Sequence, residues 1–219
     1  PKKRLPWGIP LPFDEDYVTY VWFDALINYI SIHGRLEEIR QCGFWPIDNH
    51  LVGKDILTTH AVYWSTMLKA IGLNPALNLF AHGWWTANGQ KMSKSIGNVV
   101  EPNQLVDQFG VDAIRYFLLR EVPFGMDGDF SHKALIGRIN SDLANNLGNL
   151  LNRTINMIKR YHNKVVPEPT SPDEDADLKN EFSKGIKNVH KLYDDLAFHK
   201  ILESIWLLVD TTNKYIDKN

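Results

Sequence analysis

Between residues 131 and 162 an apolar residue recurs at strict four-residue steps: Leu135, Ile139, Leu143, Leu147, Leu151 and Ile155. That spacing predicts a long amphipathic helix and excludes a strand, whose buried positions recur every second residue. Two further helical stripes follow. Leu178, Phe182, Ile186, Val189 and Tyr193 mark one, and Phe198, Ile201, Ile205, Leu208, Val209 and Ile216 mark the other. Pro167 to Pro172 reads as a linker before an acidic turn at Asp173, Glu174 and Asp175. Three amphipathic helices with short connections make a bundle. Pro123, Gly125 and Gly128 break the chain just upstream, which divides it into residues 1–125 and a helical domain over 126–219.

The first part alternates. Tyr17-Val18-Thr19-Tyr20-Val21-Trp22-Phe23 has the composition of a buried strand, and Asp24 is placed to cap a helix running to about Ile32. His50-Leu51-Val52-Gly53 reads as a second strand, followed by a helix over 56–70 closed by Gly72. A strand around Leu79 comes next. This order argues for an α/β fold of βα units on a parallel sheet. Trp22, Ala25 and Tyr29 stand at i, i+3 and i+7, and Ile56, His60 and Trp64 at i, i+4 and i+8. Spacing alone suits core packing as well as a ligand box. Both stripes begin at the carboxyl end of a predicted strand, where open α/β sheets bind ligands.

Gly89-Gln90-Lys91-Met92-Ser93-Lys94-Ser95-Ile96-Gly97-Asn98 sets two lysines three apart between glycines. Lys91 and Lys94 fit two solvated surface lysines. On spacing alone that plain reading comes first, beside a loop whose ammonium groups meet charge developing on a phosphoryl group. Beyond the loop, Glu101 opens a short helix from Pro102 that Gly110 ends, and a second helix covers 111–121.

Composition narrows the classes. The 219 residues are 44% hydrophobic and 23% charged, which suits a soluble globular protein. No apolar run is long enough for a membrane span. Cys42 is the only cysteine, so an intrachain disulfide and a multi-cysteine zinc site are both excluded. A reducing, cytoplasmic setting follows. The net charge of −2 is not that of a stand-alone nucleic-acid binder. Locally, however, Lys133, Arg138, Arg153, Lys159, Arg160 and Lys164 face one acid, Asp142.

The string Lys91-Met92-Ser93-Lys94-Ser95 resembles the signature loop of class I aminoacyl-tRNA synthetases. Val21-Trp22-Phe23-Asp24-Ala25-Leu26-Ile27-Asn28-Tyr29 and Val52-Gly53-Lys54-Asp55-Ile56…His60…Trp64 resemble the methionyl-tRNA synthetase family in particular. The resemblance implies a partial Rossmann-like parallel sheet followed by an anticodon-binding helical bundle. It implies ATP-dependent activation of methionine to its adenylate and transfer to tRNA(Met). Catalytic cations fall on Lys91 and Lys94. ATP and adenylate contacts fall on Lys91, Met92, Ser93, Lys94 and Ser95, and on Asp55, His82 and Gly83. The methionine pocket falls on Trp22, Ala25, Tyr29, Ile56, His60 and Trp64, with Leu26 where some members have proline. Anticodon contacts fall on Asn149 and Arg153, residue types suited to bidentate base contacts.

Mg2+ is expected with ATP, with no ligand residue identified. The family's His-Ile-Gly-His-type motif and zinc-bearing insertion have no counterpart in these residues. The chain therefore reads as the second half of a catalytic domain plus most of the bundle, without the N-terminal half of its own catalytic domain and inactive alone. The alternatives are another class I synthetase, of leucyl or cysteinyl type, and a non-catalytic tRNA- or protein-binding module of the same fold.

Overall fold

A computed structural model describes all residues except Lys2, Pro6, 169–174 and Asn219. Most of the expected linker and acidic turn therefore lies outside the described residues. The chain divides into two compact units, Pro1–His82 and Gly83–Asn219. The helical bundle thus shares a unit with the lysine loop, whereas the sequence suggests a division near residue 125.

In the first unit, β1 (Pro10–Leu11) pairs antiparallel with β2 (Asp14–Val18), and α1 (Val21–Ser31) follows. The strand expected through Phe23 ends five residues early, and Tyr20 stands at the N-cap in place of Asp24. Burial explains the change. Leu26 is buried, and Trp22, Tyr29 and Ile30 pack around the same core, a helical repeat that overrides the β-propensity of the aromatic residues. One consequence is that Trp22, Ala25 and Tyr29 share a single helix. They do not leave the end of a parallel strand.

After α2 (Leu36–Gln41), β3 (Asn49–Gly53) runs parallel to β4 (Asn78–His82), with Gly53 opposite His82. The crossover is less regular than the single helix expected over 56–70. It consists of a tight turn, Lys54–Ile56, a π-helical turn, Thr59–Trp64, and α3 (Ser65–Ala70), which Gly72 closes at φ 74°. Trp64, Leu68, Leu26, Ile39 and Leu73 form the core of this unit.

The second unit begins with a sheet the sequence reading leaves out. β5 (Trp85–Ala87) lies between β6 (Gln90–Lys91), antiparallel to it, and β7 (Gly128–Phe130), parallel to it. Gly128 looks like a breaker in sequence; here its bare Cα fits against Trp85, and an added Cβ would stand 3.1 Å from that ring. α4 (Pro102–Phe109) and α5 (Val111–Arg120) pack on this sheet around Leu105, Ile114, Phe117, Phe130 and Leu135.

The long predicted helix forms as α6 (His132–Arg138), a π-helical stretch, Ile139–Gly148, and α7 (Asn149–Tyr161). Its apolar stripe does not all face one core: Leu135 is fully buried, whereas Leu151 is 60% exposed. A four-residue step overshoots one turn by about 40° in the α-helical parts but not in the wider π-helical stretch between them, so the stripe does not stay on one face throughout. α8 (Ala176–Asp194) and α9 (Phe198–Lys218) complete the bundle.

Candidate functional site

The expected methionine residues gather as a cage of rings in the first unit. Tyr29 of α1 and the π-turn residues His60 and Trp64 meet at 5.7 and 5.6 Å between ring centroids, and Trp22 stands 6.3 Å from His60. His60 is 3% exposed and Trp64 1%. The π-turn positions them: where the regular α-helical ladder is broken, the His60 Nδ1–H donates to the Ile56 carbonyl at 3.0 Å. Nε2 is then the acceptor, and the Tyr29 hydroxyl donates to it at 3.0 Å. Ile56 is half-buried, and Ala25 is exposed on α1 between Trp22 and Tyr29.

The cage has a further member that was not singled out in the sequence. His50 on β3 is 6% exposed and accepts the Trp64 Nε1–H at 3.2 Å. Its ring centroid lies 4.7 Å from Tyr29 and 5.7 Å from His60. Burial first, then the nearby His60, pushes the His50 imidazole below its ordinary 6.5. The alternation of the strand held the signal: His50 and Val52 point in while Leu51 points out. An open apolar groove of about 660 Å3 flanks α1 and α3, and of the expected methionine residues it takes in only Trp22.

Asp55 and His82 lie at the carboxyl end of the parallel pair. A Cβ on Gly53 would stand 2.6 Å from Asp55 Oδ1 and 4.0 Å from the His82 ring, so Gly53 leaves room for both. Gly83 opens the second unit, where the backbone at Met126 and Asp127 passes within 2.5 Å of any added Cβ. No other residue fits there without shifting that backbone.

The lysine loop is built differently. Lys91 ends β6 with its Nζ 5.7 Å from the centre of the Trp84 ring, and Lys94 is exposed on the turn that follows. Met92 packs against the hydrophobic core of the unit and anchors the loop. The Ser93 carbonyl accepts from the N–H groups of Ile96 and Gly97, and the Ser93 and Ser95 hydroxyls are 2.7 Å apart. One side chain closes the loop: Asn98 Oδ1 accepts the Ser93 N–H at 2.8 Å while its Nδ2 donates to the Lys91 carbonyl at 3.1 Å. At the other hinge, Asp129 accepts from the Thr86 hydroxyl at 2.6 Å and from Gly89 N–H at 2.7 Å. These two donors, the hydroxyl foremost, hold its carboxyl below the usual carboxylate range. Asn88 and Gly89 supply the left-handed turn at φ 51° and 75°.

Asn149 and Arg153 lie one turn apart on α7. Asn149 is exposed, and the Arg153 guanidinium donates to Asp217 of α9. Of the six bases that outnumber Asp142 in the sequence, Arg138 turns inward to Glu121 at 2.6 Å and to Asp142 at 3.4 Å. Asp142 in turn accepts from the Tyr116 hydroxyl of α5 at 2.6 Å, so the single acid is a bundle strut. Lys133, Lys159, Arg160 and Lys164 remain exposed. Among the described residues no group of three or more His, Cys, Asp or Glu is arranged to hold a metal ion, and no helix is long and apolar enough to cross a membrane.

A parallel strand pair with Asp55 and His82 at its carboxyl end, and a lysine loop hung from a small sheet, agree with the class I tRNA synthetase resemblance of the sequence. Residues 2–155 match the family described as tRNA synthetases class I (M), and the chain belongs to that methionyl family. It is 54% identical to the methionine–tRNA ligase of Caldanaerobacter subterraneus subsp. tengcongensis, over 99% of this chain and 34% of that protein. The enzyme of Clostridium perfringens is 50% identical over the same shares. Mycobacterium tuberculosis methionyl-tRNA synthetase in complex with methionyl-adenylate matches at a TM-score of 0.85 and 44% identity, over 96% of this chain and 42% of that one. The chain thus spans about a third of the length of the curated relatives it matches.

Proposed function

We propose that these residues are the part of a methionine–tRNA ligase that holds methionine, supplies cations to the phosphates and contacts the tRNA anticodon. In that reaction the methionine carboxylate attacks the α-phosphate of ATP, pyrophosphate leaves, and the adenylate acylates the tRNA 3′ end. The observation that carries the reading is the ring cage. Methionine is an unbranched thioether, and sulfur packs favourably against aromatic edges, at about 0.3–1.5 kcal/mol per contact. Trp22, Tyr29, His60 and Trp64 present such edges, and Ala25 and Ile56 complete the set. The internal bonds of Tyr29 and His60 fix the ring directions before ligand arrives.

Asp55 carries a charge suited to the substrate ammonium or the ribose hydroxyls, with His82 and Gly83 as further adenylate contacts. Lys91 and Lys94 stabilise charge on the transferring and leaving phosphates, and Met92, Ser93 and Ser95 shape the loop that presents them. Mg2+ enters with ATP and neutralises phosphate charge, and no residue of the chain is assigned to it. Asn149 and Arg153 read anticodon bases of tRNA(Met), and Lys159 and its neighbours contact phosphate. The division of labour remains residues 1–125 for catalysis and 126–219 for the anticodon, in a cytoplasmic enzyme.

Methionine-dependent exchange of pyrophosphate into ATP tests this. The protein extended to the length of its relatives should catalyse the exchange, and the 219 residues alone should not, because orienting both reactants needs the remaining catalytic half. Exchange with leucine or cysteine in place of methionine, or robust exchange by the 219 residues alone, would overturn it.

A further inference from the structure

His50 stands behind the cage. The Trp64 indole is buried, so its N–H needs an acceptor inside the protein, and His50 Nε2 supplies it at 3.2 Å. The same imidazole meets the Tyr29 ring edge-on at 4.7 Å. One side chain on a rigid strand therefore touches two walls of the cage, from two different elements. We propose that His50 is a positioning residue for methionine: by accepting the Trp64 N–H and bracing Tyr29 it holds both rings at the tilt that accepts an unbranched thioether side chain.

The inference rests on the methionine reading of the cage and adds a residue that sets its shape. It also specifies a protonation state. An acceptor at Nε2 requires the neutral ring with its proton on Nδ1, since the imidazolium has no free lone pair. The groups facing His50 are His60 from the π-turn, Tyr29 from α1, the Trp64 indole, and Leu79 of β4, its register partner. None of these neighbours is an anion that would favour the charged ring, and both burial and His60 disfavour it. Protonation of His50 as pH falls would turn its acceptor into a donor aimed at the indole N–H.

The test uses the full-length enzyme and pyrophosphate exchange. His50→Phe keeps the ring and removes the acceptor, His50→Gln restores an acceptor, and Trp64→Phe removes the same bond from the other end. His50→Phe should raise the methionine KM about three- to tenfold, the worth of one hydrogen bond, and leave the ATP KM unchanged. His50→Gln should recover most of the loss. The effects of His50→Phe and Trp64→Phe should not add in the double variant, because both delete one interaction. The methionine KM of the unaltered enzyme should rise on the acid side of 6.5, and His50→Gln should flatten that rise.

An unchanged methionine KM in His50→Phe with only a lowered melting temperature overturns the proposal, as does full additivity with Trp64→Phe. If Trp64→Phe and Trp64→Ala leave the methionine KM unmoved as well, the cage reading itself has failed. If they move it while His50→Phe does not, only the role of His50 has.

Discussion

The ring cage of the first unit and the lysine loop of the second solve opposite problems. His50, His60 and Trp64 are buried, and three rings of the cage are held by another side chain or a carbonyl: Trp64 by His50, Tyr29 by His60, His60 by Ile56. The loop exposes both lysines and is held by two side chains at its ends, Asn98 and Asp129, with Met92 as its apolar anchor. Discrimination between apolar side chains requires walls that do not yield, because a soft pocket adapts to the wrong ligand. Charge on a transferring phosphate develops only during reaction, so the cations that meet it need freedom to approach ligand as well as a fixed anchor. On the function proposed above, the rigidity of each region follows from what it recognises.

The largest test of that contrast is Trp64→Ala. Trp64 belongs both to the cage and to the core with Leu26, Ile39 and Leu68. Truncation should cost about 3–5 kcal/mol of stability and also raise the methionine KM sharply in the fraction that remains folded. Thermal melts paired with methionine titration separate the two effects. Retained methionine affinity in the folded protein would make Trp64 a core residue only. Lys91→Ala and Lys94→Ala should behave in reverse. Each should slow single-turnover adenylate formation by roughly 2.7–4 kcal/mol of barrier, by analogy with loss of an oxyanion donor, at unchanged stability and nearly unchanged methionine affinity. A wild-type rate would return both lysines to the solvated surface.

The two regions were also legible in the sequence to different degrees. The loop could be read as a contiguous string, because its residues are adjacent in the sequence. The cage could be read only as two stripes, since its geometry depends on a π-turn that four-residue spacing does not reveal. His50 escaped because a histidine in a strand looks like a polar outward residue until the alternation with exposed Leu51 is checked. The strand read through Phe23 failed where aromatic propensity met a helical burial pattern. β7 was missed because Gly128 resembles a break, and its pairing partner lies more than forty residues earlier. The bundle was plain, yet the break of its longest helix into α-, π- and α-helical parts leaves no mark in the four-residue spacing.

A third region calibrates the comparison, because it should affect neither cage nor loop. Arg153→Ala should weaken charging of tRNA with a methionine anticodon by roughly 1–3 kcal/mol and leave adenylate formation unchanged. The existing pair with Asp217 places the effect toward the lower end, since Arg153 exchanges one acceptor for another. Lys159→Ala should instead weaken tRNAs of any anticodon about equally and lower the salt slope by about one unit. Charging assays with matched and anticodon-swapped tRNA distinguish them. Equal weakening of both tRNAs by Arg153→Ala would make it one more phosphate contact.

The smallest expected effect is at Asn98, and it tests whether the loop needs any internal order at all. One amide joins both limbs, accepting from Ser93 N–H and donating to the Lys91 carbonyl. Asn98→Ala removes both bonds, one part-buried and one exposed, so the cost should be about 0.5–1.5 kcal/mol. That cost should fall on the rate of adenylate formation, since the loop would sample more arrangements of Lys91 and Lys94, and the methionine KM should not move. Asn98→Asp keeps the acceptor for Ser93 but replaces the donor to the Lys91 carbonyl with a carboxylate oxygen, so it should slow the reaction at least as much as Asn98→Ala. Single-turnover adenylate formation reads both variants. If Asn98→Ala forms adenylate at the wild-type rate, the amide is incidental, and the lysines act from a loop held by Met92 and Asp129 alone.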